Sequence, residues 1–288
     1  MAKMDSREVG LLLAQQLFQV DDLHYGWWDE GGVPSIATFG AAQDRYNTKL
    51  IDAIRLHVPS GRVLDVGCGT GKLLSLLLDR GYRAEGVIPS ATLHRAVSAR
   101  LAARGQDGAP VFHCKFEDFP AADRLSAYDG VLFSESFQYI PMDQSFAMLR
   151  RIVKPGGVVQ ICDFFKVDPA DGGPDDDDGS MGGGHPLSSL YAEIARAGVT
   201  ILSDEDITAR MSPNLALVED LLENRGGPAV QTLGRFLQSR YPLSLRCVLW
   251  LFRKELAKAR FKYLSGRRNQ AGFERLKSYR RMMLRMPG

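Results

Sequence analysis

Between residues 61 and 204 the apolar positions change period repeatedly, from short unbroken runs to helical spacing and back. Arg62–Gly67 reads as a buried strand, and Gly71–Arg80 sets its leucines on one helical side before stopping at Gly81. Arg83–Ile88 predicts a second strand. Ser90–Arg104 predicts a helix opened by the Ser90 cap and ended by Gly105. Short strands follow at Pro110–Cys114 and Asp129–Phe133, then a helix at Met142–Val153 and a strand at Gly157–Phe164. A helix at Leu187–Ala197 and a strand at Val199–Ser203 complete the series. Such alternation over short connections predicts an α/β fold with a doubly wound, mainly parallel sheet. No internal repeat is visible.

Two segments leave this rhythm. Lys166–Pro186 is rich in Gly and Asp and predicts a solvated loop, with a gate over a pocket as the sharper alternative. Its run Asp175–Asp178 is a poor metal site, because consecutive acids do not converge on one ion as alternating ligands do. Asp204 to about Gln270 reads as several helices, and Lys277–Met286 as either a helix or a closing strand.

Composition narrows the class. The chain has 288 residues, 45% hydrophobic and 24% charged, which excludes collagen-like, wholly disordered and disulfide-stapled proteins. Cys68, Cys114, Cys162 and Cys247 lie far apart without metal-ligand spacing, so no metal site and a reducing, cytoplasmic setting are expected. No apolar run is long enough to span a membrane, and residues 1–20 lack a secretory cleavage pattern. The charge is polarised. Residues 235–288 hold fifteen Lys/Arg against two acids, whereas residues 1–234 hold twenty-one against thirty-two. That asymmetry fits either an anionic partner or basic helices that neutralise the acidic body of the same molecule.

The most informative stretch is Val63-Leu64-Asp65-Val66-Gly67-Cys68-Gly69-Thr70-Gly71, where a strand enters a glycine turn that opens a helix. It resembles the first motif of class I S-adenosylmethionine-dependent methyltransferases. Three later matches keep the order: Phe116-Glu117-Asp118-Phe119, Ser134-Glu135-Ser136-Phe137-Gln138-Tyr139, and the Lys154-Pro155-Gly156-Gly157 turn before a strand ending Asp163-Phe164. Ahead of the turn, Leu23 to Asp29 and Ala42-Gln43 resemble the opening segment of small-molecule and lipid-type members, similar to tocopherol, sterol and antibiotic-tailoring enzymes.

The resemblance implies a Rossmann-like, seven-stranded sheet with an inserted helical cap over the acceptor. The division it implies is a helical N-terminal segment over 1–60, the cofactor-binding core over 61–204, the cap over 205–276 and a closing strand over 277–288. S-adenosyl-L-methionine is the implied cofactor. Gly67, Cys68 and Gly69 would line its methionine part and Asp65 its amino end. Glu117 and Asp118 would face adenine, and Ser134 would stand beside the donor. Tyr25 and Trp27 would wall the sulfonium, whose charge suits aromatic faces, and Gln43 of the same opening segment would bind the cofactor; Trp27 and Trp28 equally suit core anchoring. Ile88, followed by Pro89, replaces the acid that usually accepts from ribose, so Ser90 or a water would serve instead and Ile88 would pack on adenine.

Methyl transfer is an in-line displacement in which alignment and exclusion of water carry most of the work. Glu135, Tyr139 (where relatives often have His) and His185 are the candidate catalytic groups. The cap's Phe236, Leu245, Leu249, Trp250, Leu251, Phe252, Phe261 and Tyr263 suit a bulky apolar or aromatic acceptor, a natural product or lipid-like metabolite methylated on O, N or C. The alternatives are an acyl or peptidyl chain on an acidic carrier protein, an RNA, and a non-enzymatic surface or scaffold role for the basic helices. Against RNA, neither a recognisable RNA-binding module nor the Asn/Asp-Pro-Pro-Tyr/Phe tetrad of nucleobase N-methylating families is present.

Overall fold

The computed structural model describes residues 21–22, 24–29, 32–168, 181–220, 226–254, 257 and 269–288. The expectations for residues 1–20, for the Asp175–Asp178 run and most of its loop, and for Phe261 and Tyr263 lie outside the described residues, as does the Leu245 side chain.

Helix α1 (Ile36–Arg55) is capped by Ser35, whose hydroxyl accepts the Thr38 amide, and buries Phe39, Tyr46, Leu50 and Ile54 at helical spacing. The alternating core follows: β1 (Arg62–Val66), α2 (Lys72–Asp79), β2 (Arg83–Val87), α3 (Ala91–Ala103), β3 (Val111–Phe112), β4 (Tyr128–Ser134), α4 (Met142–Ile152), β5 (Val153–Lys166), α5 (Leu187–Arg196) and β6 (Thr200–Asp206). Helices α6 (Thr208–Met211), α7 (Pro213–Asp220), α8 (Gly227–Arg240), α9 (Pro242–Leu251) and α10 (Gln270–Leu276) then lead into β7 (Lys277–Arg285). The strands form one sheet in the order β3-β2-β1-β4-β5-β7-β6. β1 to β5 run parallel to one another, and β7 runs antiparallel to both β5 and β6. The expected α/β, mainly parallel seven-stranded sheet is therefore observed. Its order reverses between β1 and β4, the place where such sheets leave a crevice beyond the strand ends.

Three boundaries differ from the pattern-based reading. β5 begins at Val153 rather than Gly157, because Val153 already pairs with Tyr128 of β4; Lys154 to Gly157 form an irregularity before pairing resumes at Gly130 and Val158. β3 shrinks to two residues. β6 extends to Asp206, so the expected start of the cap falls inside a strand. Its acids are held there by arginines of β7: Arg280 meets Asp204 at 2.6 Å and Asp206 at 3.1 Å, and Arg281 pairs with Glu205. Acidic residues that read as surface helix are thus extended because a basic strand lies beside them. The ambiguous Lys277–Met286 run is a strand because it fills the sheet's interior, with Met282, Met283 and Leu284 all buried.

Candidate cofactor crevice

The turn after β1 brings backbone and a carboxyl group to one place. Gly67 (φ 76°) and Gly69 (φ 54°) adopt left-handed backbone. A Cβ on Gly67 would strike Ser136 Cβ at 2.4 Å, so this glycine lets the β4 turn pack closely. A Cβ on Gly69 would meet nothing nearer than 4.0 Å, which leaves its face open to a ligand. Asp65 is 1% exposed, and neither carboxyl oxygen has a hydrogen-bond partner. Burial pushes its carboxyl up to about 7, with the nearby His24 opposing and Asp22 adding to the rise. A buried carboxyl without a partner is costly unless a cation or donor completes it. The residues present therefore fit the ammonium end of an amino-acid-bearing cofactor. An open depression lined by Thr70, Leu93 and Arg100 flanks the turn without reaching Asp65 or Glu135; the orphaned carboxyl is the better marker of the site.

A strap formed by 21–22 and 24–29 is tied to the end of the sheet nearest this turn. Asn47 Nδ2 donates to Asp22 at 3.0 Å, which leaves Asn47 Oδ1 to accept from His24 Nε2 at 3.1 Å. His24 Nδ1 donates to the Tyr25 carbonyl at 2.8 Å. Both ring nitrogens therefore carry protons, and His24 is an imidazolium stacked on Tyr46, with ring centroids 4.4 Å apart. Burial alone would depress its pKa, but the Asp22 carboxylate, 3.5 Å away, makes the net shift upward. Lys72 completes the network by bridging Asp22 (3.0 Å) and Asp44 (2.7 Å). Gln43 Nε2 donates to the His24 carbonyl at 2.6 Å. From the cap side, Asn214 accepts the Gly26 amide and donates to the Gly26 carbonyl, both at 2.8 Å.

Glu135 joins the strap to the sheet. It is a non-glycine residue at φ 52°, a conformation that costs free energy and persists only when its surroundings fix it. One carboxyl oxygen accepts from the Tyr25 amide and from the Tyr279 hydroxyl, both at 2.8 Å, and the Glu135 amide donates to Cys162. Tyr279 contacts Tyr46 through their hydroxyls at 3.2 Å, and Ser134 donates to Tyr46 at 3.3 Å. Burial pushes the carboxyl of Glu135 up and holds both tyrosines neutral.

The structure thus groups Tyr25, Gln43, Asp65, Gly67, Gly69, Ser134 and Glu135 at the end of the sheet that carries the glycine turn. Trp27 is a core anchor between the cations Lys49 and Arg281, and Trp28 stacks on Phe39. Cys68 is buried, its Sγ 2.9 Å from where a Cβ on Gly86 would lie. Ile88 is 5% exposed and belongs to the same core cluster as Leu74, Leu93 and Val97. Pro89 is exposed after β2. Glu117, half-buried beside Lys115, and the exposed Asp118 stand in the turn after β3. Tyr139 is 62% exposed. His185 Nε2 donates to the carbonyls of Ile140 (2.9 Å) and Phe137 (3.3 Å), which fixes the 181–186 segment on the turn after β4. The same turn is held by Asp163, which accepts the Gln138 amide at 3.0 Å and whose carboxyl burial pushes up to about 8. The pattern analysis did not select His24, Asp22, Tyr46 or Tyr279. Tyr46 carried a signal, lying one helical step from Gln43; Tyr279 carried none before its register opposite Phe164 was known.

Residues 63–157 match the family described as a methyltransferase domain. This stretch is a methyltransferase domain. The domain runs from β1 into β5 and contains the glycine turn, Asp65 and Glu135. The resemblance to class I S-adenosylmethionine-dependent methyltransferases is borne out for it. A ubiquinone biosynthesis O-methyltransferase of Burkholderia pseudomallei is 30% identical over 154 residues, which cover 50% of this chain and 60% of that relative. The chain therefore spans less than two thirds of the curated relative it matches. Two crystal structures share the fold over nearly the whole chain. The [4+2]-cyclase SpnF has a TM-score of 0.66 at 21% identity and covers 100% of this chain and 98% of its own. Geranyl diphosphate C-methyltransferase from Streptomyces coelicolor A3(2), bound to Mg2+, geranyl-S-thiolodiphosphate and S-adenosyl-L-homocysteine, has a TM-score of 0.64 at 17% identity. It covers 95% of this chain and 91% of its own. At these identities the likeness concerns fold alone.

Proposed function

We propose that the methyltransferase domain serves an S-adenosyl-L-methionine-dependent enzyme that methylates O, N or C of a small, bulky apolar or aromatic, lipid-like metabolite. The observation that carries the reading is the partnerless, buried Asp65 at the mouth of the glycine turn. When bound, the cofactor supplies a methyl group made electrophilic by its sulfonium. Asp65 would hold the ammonium end, while Gly67 and Gly69 admit the backbone's close approach. Ser134 and Tyr25 would border the reacting end, and the strap would exclude water. Glu135 acts in this scheme as a positioning residue, since its oxygen holds Tyr25 and Tyr279 in place. His185, with Nε2 committed to two carbonyls, keeps only Nδ1 for proton transfer. Tyr139, being exposed, is the least constrained candidate for meeting an acceptor.

Calorimetry with S-adenosyl-L-homocysteine, followed by a search for products heavier by one methylene after incubation with cell extract, tests the proposal. Binding at the level of wild type by Asp65→Ala would remove its basis. A second reading, a cofactor-binding protein that does not transfer methyl, draws on the full-length likeness to a structure described as a cyclase. Tight binding with no methylated product in any extract would favour it.

A further inference from the structure

Two groups of described cations stand out in the basic segment 235–288. On β7, Arg280 and Arg281 are neutralised by the acids of β6. On the α8–α9 hairpin the situation is reversed. Residues 226–254 contain Arg235, Arg240, Arg246, Arg253 and Lys254 and no Asp or Glu. None of these five is paired with a carboxylate among the described residues; Arg253 instead lies over the Trp250 ring at 5.4 Å. The same hairpin also exposes apolar side chains. Nine of the fifteen large hydrophobic residues exposed among the described residues fall between 230 and 252. Val230, Leu233 and Phe236 recur every three residues along α8. Leu243, at 76%, and Trp250, at 66%, are seven apart on α9 and share a side. The two helices pack chiefly on each other, and α8 buries no residue.

We propose that this hairpin docks the enzyme on a membrane surface bearing anionic headgroups. Exposed apolar side chains gain by leaving water, whichever surface receives them. The charge decides among receivers. An RNA would satisfy the arginines and stack on Phe236 and Trp250, but it would leave Val230, Leu233, Leu243, Leu249 and Leu251 wet. A second copy of the hairpin would set five cations against five cations. An anionic bilayer satisfies both, with the apolar side chains entering the boundary and Arg and Lys reaching back to the phosphates. No helix of the described residues is long and apolar enough to cross a membrane.

The full chain supplies its own probe, because Trp27 and Trp28 are buried and Trp250 is exposed. Vesicles of phosphatidylglycerol with phosphatidylcholine should sediment the protein at least about tenfold more strongly than phosphatidylcholine alone. They should also shift Trp250 emission to the blue, and salt should weaken both effects. Phe236→Glu/Leu243→Glu should abolish the shift, and Arg235→Glu/Arg246→Glu should remove the lipid preference. All four sites are exposed, and the variants should keep the wild-type melting temperature. Equal binding to both vesicle types, or an unmoved Trp250, overturns the proposal. So does a dimer in lipid-free solution that Phe236→Glu/Leu243→Glu dissociates, or RNA or an acidic carrier protein bound equally well by that variant.

Discussion

Asp65 shows how a single side chain can trade stability for binding. Its carboxyl ionises at 3.8 in ordinary surroundings and at about 7 here. Between those values the unfolded chain gives up a proton that the folded chain keeps. The ligand-free protein therefore loses stability as pH rises through that window and levels off above about 7, by on the order of 2–4 kcal/mol. Asp65→Asn should consequently melt higher than wild type at pH 8 without ligand, measured by calorimetric scan, while binding S-adenosyl-L-homocysteine at least about tenfold more weakly. Wild-type affinity should itself fall below pH 7, because an arriving ammonium favours the ionised carboxylate; titration at pH 6 and pH 8 measures the difference. Ile88 behaves in the opposite sense. Ile88→Asp would bury an acid in the core and lower the ligand-free melting temperature, by about 2–4 kcal/mol in stability. Ribose hydroxyls would offset that cost, so ligand should raise this variant's melting temperature more than it raises wild type's. Equal gains in the two proteins would remove ribose from the account of position 88.

Among elements, the strap matters most because three parts of the chain hold it. Asn214 grips it from α7, Glu135 from the end of β4, and Asn47 with Gln43 from α1. Asn214→Ala should cost about 1–3 kcal/mol and leave the Gly26 amide and carbonyl without partners. Hydrogen exchange at 24–29 should then accelerate while β1 and β4 stay protected. Tyr279→Phe should speed exchange at the Tyr25 amide less, since Glu135 retains that donor. Legibility from sequence follows the range of the interaction. The glycine turn, the Ser90 cap and the alternation of strands and helices arise from neighbouring residues, and each was visible in the pattern. Tyr279 was not, because its role depends on a strand returning from more than a hundred residues away. Trp27 suits either a cofactor wall or a core anchor on sequence alone. Only the approach of Lys49 and Arg281, from a helix and a distant strand, separates the two.

At the scale of the molecule, the α/β core and its helical periphery are divided by charge. The net charge of +2 conceals a β6–β7 pair that neutralises itself and a hairpin that does not. Replacing 227–254 by a short Gly/Ser linker should leave cofactor affinity within about twofold of wild type, since hairpin and crevice share no hydrogen bond among the described residues; calorimetry checks this. The position of β7 carries a consequence for how the chain is made. It is the last strand in sequence, yet it sits between β5 and β6. Until the residues of β7 emerge from the ribosome, β5 presents a long open border of unpaired amides and carbonyls, and β6 has no partner strand among the described residues. The nascent protein must therefore wait, half-zipped and adhesive, for its closing stitch, and during that interval it depends most on whatever shields it from other chains.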